Sequence, residues 1–147
     1  MRRVVRAIVV LAAFALAACG GAGSSAKQTV TVTASSTKPS GQQEYSSVQA
    51  LADDLTKHGY TCAMKPRGSG SDGSVSGECW ILRKQMILVI YPNQAAVNDY
   101  LRMIHSIVDL GNDPFGWLVG NKWIVNCGER AACQAIQDSL GGTVDAR

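Results

Sequence analysis

The chain has little of the chemistry on which enzymes rely. It contains only two histidines, His58 and His105, and no G-x-S-x-G, H-E-x-x-H or phosphate-binding glycine loop occurs. Nucleophilic hydrolysis usually needs a histidine beside a serine or cysteine, and the two histidines fall on separate predicted helices, where a structural role explains each. Asp53 and Asp54 are adjacent, so on a helix they point in different directions. We therefore expect no catalytic residue and no enzymatic activity.

The sequence also lacks metal-ligand spacing and a surplus of one charge. The cysteines form no C-x₂-C pair, so we expect neither a metal nor another cofactor. Three of the 14 basic residues lie within the first six positions, and beyond them 11 basic residues stand against 11 acidic ones. A neutral chain without a basic stripe lacks the electrostatic footprint of a nucleic-acid-binding protein. We therefore expect no nucleic-acid partner.

No apolar run is long enough to cross a membrane as a helix, which takes about 20 residues. Residues 7–15 are all apolar, follow three arginines within residues 1–6 and precede small residues, which is the layout of a secretory signal peptide. The segment Leu16-Ala17-Ala18-Cys19 resembles a bacterial lipobox. The resemblance implies that residues 1–18 are removed and that Cys19 carries diacylglycerol and acyl chains such as palmitate. The protein would then be lipid-anchored on the extracytoplasmic face of the cell membrane.

The alternative is an ordinary secretory signal peptide that a cysteine happens to follow. The cysteine count favours the lipobox, because five cysteines in an oxidising compartment would leave one unpaired, whereas a lipid on Cys19 leaves four. Residues 19–43 are rich in Gly, Ser, Ala, Thr and Gln and contain too little apolar surface to fold, so we expect a flexible tether. A single domain would then occupy residues 44–147.

Periodicity predicts three helices and five strands in that domain. Helices are expected between a Ser46–Gln49 capping box and Gly59, between the cap residue Asn93 and Gly111, and over residues 129–140. Strands are expected at 60–64, 75–82, 85–91, 117–119 and 122–126. An exposed loop is expected at 65–74 and a tight turn at Gly120-Asn121. Most neighbouring strands have no helix between them. The pattern therefore predicts an α+β fold with a largely antiparallel five-stranded sheet, helices packed on one face and disulfides that stabilise it.

Four cysteines remain in the domain, and three sets of pairings are open to them. We favour Cys62 with Cys79, which would tie a strand to its neighbour across the glycine-rich loop. We favour Cys127 with Cys133, which would tie the end of a strand to the last helix. Six positions separate Cys127 from Cys133, which is not the C-x-x-C spacing of a redox-active pair. Structural disulfides are the expectation.

Three aromatic residues, Phe115, Trp117 and Trp123, are the candidate contacts for a ligand or partner, since amphipathic aromatic side chains are common at interfaces. A place in the core is the alternative. The predicted turn puts Leu118 opposite Trp123 and leaves Trp117 on the other face of the sheet. At most one of these tryptophans is then exposed.

The whole layout resembles small cell-envelope lipoproteins of actinobacteria, most of them of uncharacterised function. The resemblance rests on the lipobox, the tether, the segment W-L-V-G-N-K-W-I-V-N-C at residues 117–127 and the Gly-Gly after the last helix. It implies an anchored, non-enzymatic module, which we expect to bind an envelope protein or a cell-wall component.

Two alternatives to the binding module stay open. The first is a carrier of a small apolar ligand in a cavity between the helices and the sheet, and the second is an enzyme with a histidine beside a carboxylate in a cleft. An enclosed cavity of about 300 Å³ or more would favour the carrier. A flat face with an exposed tryptophan would favour the binding module.

Overall fold

The computed structural model describes residues 39–108 and 114–146. In chain order the elements are α1 (Val48–Lys57), β1 (Lys65–Ser69), β2 (Val75–Ile81), β3 (Lys84–Ile90), α2 (Gln94–Val108), β4 (Gly116–Gly120), β5 (Trp123–Asn126), α3 (Arg130–Leu140) and β6 (Thr143–Ala146). Within the described residues, no helix has the length and apolar character needed to span a bilayer. The predicted signal peptide, Cys19 and most of the predicted tether lie outside the described residues.

The six strands form one sheet in the order β1-β2-β3-β5-β4-β6, and every neighbouring pair is antiparallel. The α+β class and the antiparallel sheet are confirmed, but the sheet has six strands and not five. The strand expected at residues 60–64 is wrong, and β1 lies instead in the segment expected to be a loop. β1 is an edge strand with every side chain exposed, and its Pro66, Gly68 and register shift make it look like a loop.

The helices pack on both faces of the sheet, which corrects the expectation of one face. On the face that we call the two-helix face, α1 and α3 cover a large core that includes Leu55, Leu88 and Trp123. On the opposite face, the one-helix face, α2 covers a smaller core around Val97 and Trp117. The cause is the connection from β3 to β4. Both strands run antiparallel to β5, which lies between them, so α2 must cross one face of the sheet to join them.

Local signals at the helix ends are partly confirmed. The side chain of Asn93 accepts a hydrogen bond from the backbone N–H of Ala96 at 2.9 Å, as expected of the cap of α2. The cap of α1 is Ser47 and not Ser46, because the Ser47 hydroxyl accepts from the N–H of Ala50 at 3.1 Å. The predicted capping box is therefore wrong by one residue.

The β4–β5 turn also lies one position later than predicted. Gly120 pairs with Trp123, so the two loop residues are Asn121 and Lys122, and Lys122 adopts a positive φ of 63°. Leu118 faces Val125, not Trp123. The pairing moves by two residues, and since side chains alternate with a period of two, every side chain keeps its predicted face.

The structure forms the two favoured disulfides. The Cα atoms of Cys62 and Cys79 are 5.2 Å apart, and those of Cys127 and Cys133 are 5.4 Å apart. All four cysteines are buried in the core of the two-helix face. Both covalent links therefore stabilise the same side of the sheet.

Residues 39–43, which the sequence assigns to the tether, make defined contacts with the domain. The backbone N–H of Asn121 donates to the carbonyl of Gly41 at 2.8 Å, and the Trp123 indole N–H donates to the carbonyl of Gln43 at 3.0 Å. A Cβ on Gly141 would lie 2.0 Å from the carbonyl oxygen of Pro39, so only glycine allows this close approach. These contacts involve residues that precede the predicted boundary at residue 44.

Candidate functional site

Helix α2 covers only part of the one-helix face. The core beneath it draws on β3, β4 and β5, and no side chain of β1 or β2 belongs to it. In β2, Ser76, Glu78 and Trp80 pair with Val89, Ile87 and Gln85 of β3, so these residues share the α2 side of the sheet. We call the part of this face formed by β1, β2 and Gln85 and Ile87 of β3 the open half. None of the helices in the described part of the chain lies over it.

Trp80 is the most exposed large apolar side chain of the described residues, at 63% of its full accessibility. Its neighbours in β2, Cys79 and Ile81, are buried on the two-helix face, which directs the indole outward. On α2, the side chains of Met103 and Ile107 are also more than half exposed. Apolar groups left in water in this way mark a candidate contact surface.

Beside Trp80 lies a cluster of polar side chains joined by hydrogen bonds. Arg67 donates to Oε2 of Glu78 at 2.9 Å, and the Gln85 side chain donates to the same oxygen at 2.8 Å. Gln85 is also the cross-strand partner of Trp80. The cluster is therefore held in place directly next to the exposed indole.

A groove of about 520 Å³ continues from this cluster along the edge of α2. Ile87 and Val89 lie among the sheet residues that line it, and Tyr100 and Met103 line it from the helix. The groove is open to solvent along its length. It is a surface groove and not the enclosed cavity that would indicate a carrier.

The loop between β1 and β2 closes one end of the groove. Asp72 in this loop accepts hydrogen bonds from the hydroxyl of Ser74 at 2.6 Å and from its backbone N–H at 3.0 Å. These bonds, the hydroxyl first, lower the pKa of the Asp72 carboxyl. A second depression of about 620 Å³, also lined by Tyr100 and Met103, lies between Asp72 and the start of α2. The carboxylate of Asp72 therefore stands between two adjoining surface depressions.

The structure places the three candidate aromatic residues away from this surface. Trp123 is fully buried and Trp117 is 3% exposed, while the half-buried Phe115 stacks on Trp117 with 4.4 Å between the ring centres. Trp117 and Trp123 are thus core residues, and the exposed tryptophan is Trp80. The alternation of β2 carries the signal for it, since an inward Cys79 in a disulfide requires an outward Trp80.

The two histidines differ in their surroundings. His58 is the exposed cap residue at the end of α1. His105 of α2 lies 2.6 Å from Oδ2 of Asp145 in β6, and its ring packs against Phe115 and Trp117. The indole N–H of Trp117 is buried and has no hydrogen-bond partner in the described part of the chain.

The His105–Asp145 pair joins α2 to the edge strand β6. It belongs to the covered part of the one-helix face, and His105 does not line the open groove. In residues 39–108 and 114–146, no group of three or more His, Cys, Asp and Glu side chains could hold a metal ion. Comparison of the chain with protein-family models, curated proteins and solved structures found no match.

Proposed function

We propose that this protein is a lipid-anchored extracytoplasmic lipoprotein whose domain binds another component of the cell envelope, without enzymatic activity. The lipobox at Leu16-Ala17-Ala18-Cys19 supports the anchor. The observation that carries the binding role is the open half of the sheet, where Trp80 is 63% exposed and Arg67, Ser76 and Ile87 of the same half line a groove. Aromatic side chains are enriched at binding interfaces, so an exposed tryptophan on the half of the sheet that carries a groove favours a contact that covers it.

The shape of the surface favours a binding module over a carrier. A carrier must surround an apolar molecule to keep it from water, and binding sites of that kind enclose most of the ligand. The groove along α2 is open, and Arg67, Asp72 and Ser76 are among its lining residues. Such a surface suits a larger partner that supplies the missing cover itself.

The attachment of the tether is compatible with this role. Residues 39–43 contact the β4–β5 turn and the glycines before β6, whereas the open half lies at the β1–β2 end of the sheet. Residues 39–43 therefore do not cover the open half. Two or more acyl chains on Cys19 would hold the domain at the membrane, since one chain alone gives only marginal binding.

Site-specific photo-crosslinking in living cells tests the binding role. A photoreactive phenylalanine analogue replaces Trp80 or Met103 in the full-length protein, and a matched probe replaces Gln134, an exposed residue of α3 on the opposite face. We expect adducts of higher mass from positions 80 and 103 and none from 134. Equal adduct formation at all three positions, or none at any, would contradict the proposal.

Intact-mass measurement tests the anchor separately. Protein extracted with detergent should begin at residue 19 and carry the added mass of diacylglycerol and acyl chains. Replacement of Cys19 by alanine should move the protein from the membrane fraction to the soluble fraction. A precursor of unchanged mass, or a cysteine at position 19 without lipid, would refute the anchor. The binding role would then still be tested by the crosslinking experiment.

A further inference from the structure

The chemistry around Trp80 indicates what the open half binds. The indole ring of Trp80, which is 63% exposed, offers a flat surface with a negative electrostatic face. The C–H groups on one side of a pyranose ring carry partial positive charge and form a surface of similar size. Stacking of a sugar ring on Trp80 would bury both apolar surfaces and leave the hydroxyl groups of the sugar at its edges.

The polar cluster next to Trp80 can bind such hydroxyl groups. Each hydroxyl both donates and accepts hydrogen bonds, so a sugar site needs donors and acceptors together. The Arg67 guanidinium has N–H groups beyond the one used on Glu78, and the Gln85 amide keeps its carbonyl oxygen as an acceptor. Arg67 and Gln85 both donate to Oε2 of Glu78. Among the described residues, Oε1 of Glu78 accepts no hydrogen bond and can accept one from a sugar hydroxyl. The three side chains are already held in position, so less entropy is lost on binding.

The balance of charge in the cluster favours an uncharged ligand. Arg67 and Glu78 form an ion pair at 2.9 Å and cancel each other's charge. Lys65, the cross-strand partner of Glu78, adds one positive charge, and Asp72 in the groove adds one negative charge. A phosphorylated or strongly acidic polymer would therefore meet no net positive charge over these four side chains, and the Arg67–Glu78 pair is partly exposed, so water screens its field. Neutral, polyhydroxylated chains fit this pattern.

The surroundings of Trp80 argue against a protein partner. Tryptophans that anchor protein interfaces lie in well-packed pockets from which water is fully excluded. On the open half, the strand neighbours of Trp80 are the polar Glu78 and Gln85, and the exposed Leu82 follows in the β2–β3 turn. The neighbouring strand residues therefore form no apolar pocket around Trp80. The apolar side chains Met103 and Ile107 belong to α2 and not to the sheet strands that carry Trp80.

The open half is long enough for more than one sugar unit. The positions of Ser76, Glu78 and Trp80 alternate along β2, and four residues of strand span roughly 13 Å, which exceeds one pyranose ring. Beyond Ser76 the groove continues past Ser74 to Asp72, so further hydroxyl and carboxylate groups follow the same line. A chain of linked sugars could occupy this line from Trp80 to the loop.

From these observations we infer that the open half is a polysaccharide-binding site, in which Trp80 stacks on a neutral sugar ring and Arg67, Glu78 and Gln85 bind its hydroxyl groups. The inference rests on the proposed binding function and names its ligand class as the glycan of a cell-wall polymer. The test uses a panel of oligosaccharides that differ in sugar and in linkage.

Intrinsic fluorescence provides the first measurement, because Trp80 is the only exposed tryptophan of the three in the chain. The full-length protein, in a detergent without a sugar headgroup, is titrated with β-1,4-linked tetramers of glucose and of N-acetylglucosamine, with an α-1,4-linked glucose tetramer and with an α-linked mannose tetramer. Sedimentation with purified peptidoglycan sacculi measures binding to an intact wall polymer. We expect saturable changes in emission with at least one oligosaccharide, or co-sedimentation with the sacculi.

Variants then assign the binding to the site. Because the Trp80 variants lack the reporting fluorophore, their binding is measured by titration calorimetry and by sedimentation with sacculi. Trp80→Ala should weaken binding about tenfold or more, and Trp80→Phe should retain part of it, because a smaller ring still stacks. Arg67→Ala and Gln85→Ala should each weaken binding with an unchanged emission spectrum of the free protein. Val75→Ala is the matched control, since Val75 lies on the same strand, is 45% exposed and is on the opposite face. Circular dichroism checks that each variant is folded.

The outcomes separate this inference from the proposed function. Failure of all oligosaccharides and sacculi to bind, or equal binding by the wild type and Trp80→Ala, would overturn the polysaccharide site. If photo-crosslinking at position 80 then captured a polypeptide, the binding module would stand with a protein ligand. If neither sugar binding nor a crosslinked adduct were found, both the polysaccharide site and the binding function would be refuted.

Discussion

Removal of the two disulfides one at a time tests the account of how this domain is stabilised. Cys62 and Cys79 are 17 positions apart, and Cys127 and Cys133 are 6 positions apart. A disulfide limits the conformations of the unfolded chain, and it limits them more when it closes a longer loop. The longer loop should therefore contribute more to the free energy of unfolding.

The magnitudes follow from the two separations. The chain-entropy relation gives about 3 kcal/mol for the 62–79 link and about 2 kcal/mol for the 127–133 link at 25 °C. The constant in that relation cancels in the difference, which depends only on the ratio of loop lengths and amounts to about 0.9 kcal/mol. Because all four cysteines are buried to a similar degree, the cavities left by Cys→Ala substitution are similar and also largely cancel.

Urea denaturation of the two double-alanine variants and of the wild type gives the required values. The variant without the 62–79 link should lose more stability, and its m-value should rise more, since its unfolded chain can expand further. Reduction of each double-alanine variant with excess thiol removes its one remaining link, and the further loss of stability should be greater where that link is Cys62–Cys79. An equal loss, or a greater loss for the short loop, would refute the entropic explanation and point to effects within the folded state.

Three further substitutions test local features of the structure. Gly141→Ala should lower the free energy of unfolding by about 1–3 kcal/mol and expose the chain at Pro39 to proteolysis, because the new Cβ clashes with the Pro39 carbonyl and the backbone conformation is unfavourable for alanine. Gly128→Ala is the control: Gly128 also has a positive φ, but no atom lies near its Cβ position, so this variant should keep the protease resistance at Pro39. Asn93→Ala should lower the free energy of unfolding in urea by about 1 kcal/mol through loss of the α2 cap, whereas Asn93→Asp should not. Burial raises the pKa of Tyr91 above its ordinary value of 10.0, so folding holds Tyr91 neutral, and its contribution to stability is intact below pH 10. Above pH 10 that contribution falls by at most about 1.4 kcal/mol per pH unit, and burial of Tyr45 and Tyr100 adds declines of the same sign. Tyr91→Phe should therefore make the decline less steep, without abolishing it, in denaturation curves measured between pH 9 and 11.

The elements with strong periodicity were predictable from the sequence. The apolar residues of α2 recur at helical spacing after a cap, and β3 is apolar at nearly every position, which indicates a strand covered on both faces. A strand with apolar side chains on both faces needs cover on both faces, so β3 already conflicts with the expectation that all helices pack on one face of the sheet. It gives a local reason for α2 to cross to the face opposite α1 and α3.

The edge strands were not predictable by the same reasoning. β1 contains Pro66 and Gly68 and buries none of its side chains, so it shows no alternation between apolar and polar residues. β6 has four residues after Gly142. Edge strands form because a neighbouring strand offers hydrogen-bonding groups, and that cause lies in the tertiary structure and not in the strand's own sequence.

The candidate site was missed because its signal depends on register. Sequence reasoning selected the aromatic cluster at Phe115, Trp117 and Trp123, where apolar neighbours are dense, and density of this kind marks a core. Trp80 stands between two buried residues of β2, and only the disulfide partner of Cys79 fixes which side of the strand faces inward. An aromatic residue whose two neighbours in the same strand are buried is therefore a better candidate for a surface contact than an aromatic residue within an apolar cluster.

The two faces of the sheet differ in what stabilises them, and the proposed binding surface lies on the face with fewer stabilising links. Both disulfides, α1, α3 and the fully buried Trp123 belong to the two-helix face, so the largest stabilising terms lie there. A small domain that lacked those links would need apolar cover on both faces to remain folded. Because the two-helix face already supplies that stability, the opposite face of β1 and β2 can remain without a covering helix. The exposed indole of Trp80 can therefore stay on that face, next to the polar cluster, where the proposed ligand would cover it.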